Sequence, residues 1–239
     1  MSVQDFEYAR NISREKVVGD EGLKAYTRKV FLYMMTSLGI TALVSYLMIR
    51  TSFLRYLISD TGYSGLGLAV VWAPLAIMLF MNFKSNMSAR ATKVCLYSIS
   101  AMEGASLSLL LLYTGVHTAF QAFLVAGILF GFMALYGYLT DRDLLGLGRL
   151  LIMALWGMVI VSIASFFFGG VGIWFSYLTV IIFTGLIAYE TQNIKRMYSQ
   201  IGGYGETADK MAAFCALSLY LDFLNLFMAL LRIFGNNRR

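Results

Sequence analysis

Seven apolar runs of about 20 residues, separated by short charged segments, constrain this chain more than any other feature. A run of that length lets a helix cross the hydrocarbon layer of a bilayer, and a water-soluble core has no use for the repetition. The runs fall at residues 30–48, 65–83, 92–113, 118–138, 147–168, 173–190 and 211–234. Composition agrees, because 59% of the residues are hydrophobic and 13% are charged, about half the charge of an ordinary soluble domain. Backbone polar groups in lipid must be bonded within the protein, so the expected fold is an all-α integral membrane bundle of seven transmembrane helices. Residues 1–29 are read as a cytoplasmic N-terminal arm and residues 30–239 as the transmembrane domain.

The polar arm has no short apolar core followed by a small-residue cleavage site, so no removable signal is expected and the first span directs insertion. Connections 114–117 and 169–172 are short enough to force antiparallel neighbours. The net charge of +6 would suggest nucleic acid in a soluble protein, but these cations cluster just outside the apolar runs and report topology instead. On the side of the N-terminus lie 14 of the Lys and Arg residues, against five on the other side, namely Arg50, Arg55, Arg232, Arg238 and Arg239. The expectation is a cytoplasmic N-terminus and an external C-terminus in a cell inner membrane. A re-entrant last segment, returning Arg232 to the cytoplasm, is the alternative.

Gly127, Gly131 and Gly137 are read as positions of close helix packing. Pro74 should kink the second span and free a carbonyl near Val70. Cys95 and Cys215 lie apart in apolar runs and are expected to be buried space-fillers, and His117 is placed in a tight outer loop. No HExxH, P-loop, GxSxG or dinucleotide fingerprint is present, so the chain is read as not an enzyme and as carrying no cofactor. Asp141, Arg142 and Asp143 read as a turn and helix cap.

Three acids lie inside apolar spans, where each costs at least a few kcal/mol and so requires an explanation. They are Glu103, Glu190 and Asp222. Counting from the start of the seventh run places Asp222 at a depth similar to Glu190, on helices joined by one loop. Two carboxylates within reach would share a proton and titrate as a coupled pair. Such a pair can hold two helices together, open on deprotonation, or bind a hard cation such as Ca²⁺ through its oxygens. Ser218 and Asn225 lie one turn to either side of Asp222, a polar stripe expected to face the bundle interior and so to make the last helix central. Glu103, among Ser98, Ser100, Ser106 and Ser108, either lines a polar cavity or is a neutral acid bonded to a neighbour.

The run Ala216-Leu217-Ser218-Leu219-Tyr220-Leu221-Asp222-Phe223-Leu224-Asn225-Leu226-Phe227 resembles the C-terminal signature of the Bax inhibitor-1, or transmembrane Bax-inhibitor-motif, family. Tyr136-Gly137-Tyr138 with Thr140-Asp141-Arg142-Asp143-Leu144, and Ala188-Tyr189-Glu190-Thr191-Gln192-Asn193-Ile194-Lys195, agree with it. The resemblance covers the chain from about Tyr26 onward and is to bacterial members. It implies a seven-helix fold with the last helix central, and a pH-sensitive Ca²⁺ leak whose proton sensor is the carboxylate pair, falling here on Glu190 and Asp222. The sixth-helix acid is usually aspartate in that family, so Glu190 is a departure at the pair itself. A basic latch near the end of the second span is also implied, for which Lys84 and Arg90 are both available.

The resulting expectation is a cation leak with Glu190 and Asp222 as gate and as Ca²⁺ ligands, and with the bilayer and calcium ions as its partners. Nucleic acid is not expected. The alternative class is a non-conducting regulator that binds other membrane proteins, such as a protease or cell-death component. On that alternative Glu190 and Asp222 are a structural staple, and neutral replacements leave function intact.

Overall fold

The first helix begins well before the first apolar run. The computed structural model describes residues 3–236 apart from 52, 60, 61, 85, 86, 169, 171 and 202–204, with side chains from Gly19 onward except at 62, 63 and 166–168. Arg238, Arg239 and the side chains of the arm's Arg10, Arg14 and Lys16, which enter the charge count, lie outside the described residues, as does part of the 169–172 connection. In order, the elements are α1 (Val3–Arg50), α2 (Leu54–Leu57), β1 (Ile58–Ser59), β2 (Gly62–Tyr63), α3 (Gly65–Phe83), α4 (Ala89–Thr114), α5 (Val116–Leu139), α6 (Leu145–Phe168), α7 (Ile173–Ile201) and α8 (Gly205–Asn236).

Seven of these helices are long and apolar enough to cross a membrane. Most run past their apolar stretches, because hydropathy marks only the hydrocarbon depth and a helix continues into the polar headgroup layer at no penalty. The last helix is one unbroken rod of 32 residues, about 48 Å long, so it is not a re-entrant hairpin. The link from α1 to α3 carries α2 and a small antiparallel pairing, Ile58 with Tyr63 and Ser59 with Gly62, where the sequence suggested only a loop. Ser64 and Ser88 cap α3 and α4 by accepting from the amides of Gly67 and Ala91. Gly115, at φ +82°, is the whole connection between α4 and α5 and takes a backbone conformation that only glycine adopts without strain. His117 therefore sits in the first turn of α5, exposed, rather than in a loop.

Helix α8 is the centre. Of its apolar window 72% is buried, against 17–39% for the other spans. Its buried residues run round the helix from Ala229, Asp222 and Cys215 through Leu219, Ala212 and Tyr220 to Leu224 and Leu217, about two-thirds of the circumference at 3.6 residues per turn, as expected of a helix largely enclosed by others. Around it stand α1, α4, α5 and α7, while α6 packs on α7 and α3 packs on α4. Phe223 meets Phe123 and Phe130 of α5 edge-on, at 5.6 and 5.7 Å between ring centroids. The outer faces carry Trp72, Phe83, Phe132, Trp156 and Ile160, an apolar surface that only a lipid environment tolerates.

A polar seam joins α1, α4 and α8. Ser45 donates to the Gly104 carbonyl at 2.6 Å, and α1 comes so close that a Cβ on Gly104 would lie 2.6 Å from the Thr41 carbonyl oxygen. Thr41 Oγ1 is 3.0 Å from the carbonyls of both Ser37 and Ser100, and 2.8 Å from Tyr220 Oη. The single Thr41 proton goes to a carbonyl, so Tyr220 is the donor to Thr41. Tyr220→Phe is expected to cost about 1 kcal/mol in an unfolding titration in detergent, because only the tyrosine's own bond is lost. A loss several times larger would show that the seam unravels as a unit.

Candidate functional site

Helix α7 presents its acid from a rigid backing. A Cβ on Gly137 of α5 would fall on the carbonyl of Ala188, one on Gly148 of α6 would overlap the Tyr189 ring, and one on Gly185 would lie 2.7 Å from Leu151 of α6. Glycine therefore lets α5 and α6 seat against α7 immediately before Glu190. Gly127 and Gly131, by contrast, have nothing within 4 Å of a built Cβ, so of the three glycines singled out for packing only Gly137 is at a close approach. Spacing alone does not reveal which side of α5 meets a neighbour.

Below Glu190 the α5–α6 connection is clamped to α7. The Gln192 amide accepts from the Leu144 amide at 2.9 Å and donates to the Arg142 carbonyl at 2.7 Å. Arg196 donates to Gln192 Oε1 at 2.8 Å and forms an ion pair with Asp143. Asp143 also caps α6 by accepting from the Leu145 amide at 2.9 Å, as the sequence suggested, while the clamp by Gln192 was not foreseen. The Leu145 amide first, and the Arg196 guanidinium beside it, hold the Asp143 carboxyl below its ordinary value of 3.8. A carboxyl held lower in the folded protein stabilises it above the unfolded pKa, and that contribution is lost as pH falls through the folded value. Hydrogen exchange of residues 142–145, corrected for intrinsic rate, should therefore be flat from neutral pH down to about 4 and rise only below it. An increase centred near pH 6 would contradict this.

Glu190 is half-buried and opens into a cavity of about 230 Å³ between α3, α7 and α8, together with Asn193, Cys215 and Ser218. Its Oε2 accepts from Asn193 Nδ2 at 3.5 Å. Asp222 is buried one turn further along α8 from Ser218, and its Oδ2 has no hydrogen-bond partner. The two acids are close enough for their charges to interact but make no direct hydrogen bond. Counted from the helix ends that their loop joins, Glu190 lies 11 residues before Ile201 and Asp222 lies 17 residues after Gly205, which sets Asp222 about 9 Å further along the bundle axis.

One turn beyond Asp222, Asn225 borders a second cavity of about 660 Å³, with Trp72 of α3, Thr179 of α7 and Arg232 near the other end of α8. Asn225 Nδ2 donates to the Leu221 carbonyl at 2.9 Å, which leaves its side-chain oxygen as an acceptor. The stripe Ser218, Asp222, Asn225 thus runs from one cavity through a buried carboxylate to the other.

The remaining candidates stand apart. Glu103 is half-buried beside Tyr220 on the α4 side of the bundle and borders neither cavity. Lys84 caps the end of α3 with its ammonium 5.5 Å from the Phe80 ring, and Arg90 is exposed in the first turn of α4. Among the described residues the ion pairs are Lys29 with Asp209 and Arg196 with Asp143, so neither latch candidate pairs with Glu190 or Asp222. Among the described residues no three of His, Cys, Asp and Glu cluster, and a Ca²⁺ ion at Glu190 and Asp222 would have to complete its six to eight oxygens from Asn193, Ser218, Asn225 and water. Sequence reading overlooked Met78, Met81, Met197 and Met211 at the first cavity. The one-turn spacing of Met78 and Met81 was visible, but the convergence of the four from three helices was not.

Fold and site define a multi-pass helical membrane protein with an acidic residue buried on its central helix and a second acid on the neighbouring one. Residues 23–239 match the family described as Inhibitor of apoptosis-promoting Bax1, and the chain belongs to that family. It is 38% identical over 224 residues to an uncharacterized protein of Rickettsia prowazekii, covering 92% of each chain. It is 37% identical over 225 residues to the inner membrane protein YbhL of Escherichia coli K12, covering 91% of this chain and 94% of that one. An uncharacterized membrane protein of Streptococcus pyogenes is 35% identical over 227 residues, covering 91% of this chain and 95% of that one.

Proposed function

We propose that this protein is a pH-responsive leak for Ca²⁺ in a bacterial inner membrane, with Glu190 and Asp222 as gate and transit site. The N-terminus is cytoplasmic and the C-terminus external, on the balance of flanking cations. The observation that carries the reading is Asp222, a buried carboxylate with an unpartnered oxygen, lying between two cavities toward opposite ends of α8. An acid is expensive in that position, and a path for cations gives it a purpose.

With at least one of the two acids protonated the stripe stays packed and the path is shut. With both ionised, repulsion loosens the packing and the oxygens attract a hard cation. Helix α3 is the natural wall to yield, since it borders both cavities through Met81 and Trp72 yet packs chiefly on α4. It is continuous across Pro74. Carrying few polar ligands, the site suits transit better than tight retention.

The test is Ca²⁺ flux into liposomes containing the native chain, Glu190→Gln or Asp222→Asn, across about pH 5 to 8. A native flux that follows pH, altered in both variants, supports the reading. No flux above empty liposomes at any pH overturns it in favour of a regulator that works by binding membrane partners.

A further inference from the structure

The cavity beside Glu190 is bordered by sulfur to an unusual degree. Four of its 12 lining residues are methionines, in a chain with 14 among 239 residues, and a fifth is Cys215. These side chains come from three helices at spacings that set each group on one face: Met78 and Met81 on α3, Met211 and Cys215 on α8, and Met197 on α7 one turn past Asn193. Methionine is a common filler of irregular gaps, but here four of them border a space of about 230 Å³ that they leave open. The same space holds the Glu190 carboxyl group, facing neutral thioethers.

We propose that this cavity is a binding site for one soft monovalent cation, Cu(I) or its analogue Ag(I), held by thioethers of Met78, Met81 and Met211 with Met197 and Cys215 as further sulfur donors. Thioether and thiol donors select soft d¹⁰ ions over Ca²⁺, Mg²⁺ or protons, so this ligand differs in kind from the cation proposed for the carboxylate stripe. Glu190 offsets the cation's charge, which makes burial affordable within the membrane. Helix α3 closes the site from one side, so an ion bridging its methionines to α8 would tie α3 to the central helix.

Cu(I) binding is measured on purified protein in detergent, without oxygen, by competition with a chromophoric Cu(I) chelator, and Ag(I) binding by calorimetry. The native protein is expected to take up one ion. The variant Met78→Leu/Met81→Leu/Met211→Leu, which keeps volume but removes three sulfurs, is expected to lose about tenfold or more in affinity. Met153→Leu, on the exposed face of α6, should bind as native does. X-ray absorption of the native complex is expected to show a first shell made mostly of sulfur, a reading that does not depend on the triple variant folding. Absence of stoichiometric binding, unchanged affinity in the triple variant, or a shell of nitrogen and oxygen would each overturn the proposal. Equilibrium binding needs no conduction, so failure here and failure of the calcium leak are separate results.

Discussion

Liposomes carrying Asp222→Asn are expected to lose the pH dependence of Ca²⁺ flux while the protein remains folded. The amide keeps the shape of the carboxyl group but cannot ionise, so repulsion with Glu190 is absent at every pH. Packed helices lie about 8–10 Å apart. Over that distance, at an effective dielectric near 20, two unit charges repel by roughly 2 kcal/mol. That energy is a factor of about 20–30 in the balance between shut and open forms. The native protein should therefore conduct about tenfold faster at pH 8 than at pH 5, and the variant should give a flat profile. Glu190→Gln should flatten it equally, and the double variant should do no more than either alone, as expected of two groups acting as one unit. A native pH slope retained in Asp222→Asn would falsify the pair as the sensor.

Gly137→Ala is expected to be the most destabilising single-methyl change in the bundle, by about 3 kcal/mol in a detergent unfolding titration. Its new Cβ would fall on the carbonyl of Ala188, a backbone atom that cannot rotate aside as a side chain would. Either α5 withdraws from α7 or α7 shifts, and Ala188 is two residues from Glu190, so any flux should be disturbed as well. The matched control lies on the same helix. Gly131→Ala meets nothing within 4 Å and gains the helix preference of alanine, so it should be neutral or stabilising by up to about 1 kcal/mol. Equal stability of the two variants would mean that α5 and α7 do not approach as described.

The acids were legible in the sequence because each is an exception to a strong rule, and Asp222 is as buried as that rule requires. Their relation was only partly legible. Hydropathy located the apolar part of α8 but not its true start, since Gly205 to Lys210 contains polar residues that a helix end accepts. Glu103 lay beyond the method, because the pattern of serines on α4 says nothing about which helix stands opposite, and the seam it adjoins belongs to Thr41 and Tyr220. Lys84 and Arg90 came from the resemblance, which implies a basic latch near the end of α3, and among the described residues neither forms an ion pair with Glu190 or Asp222.

Taken alone, the sequence determined the seven spans and the class of protein, for a physical reason that is local. A bilayer demands about 20 apolar residues with every backbone group bonded inside its own helix, so each span can be judged without reference to any other. It also determined that α8 carries a polar stripe. Tertiary structure alone decided which glycine is indispensable, where the carboxylates stand relative to each other, and that thioethers from three helices surround one cavity. Those features depend on the azimuth and axial offset of each helix against its neighbours. Helices apolar on nearly every side leave both open until packing settles them.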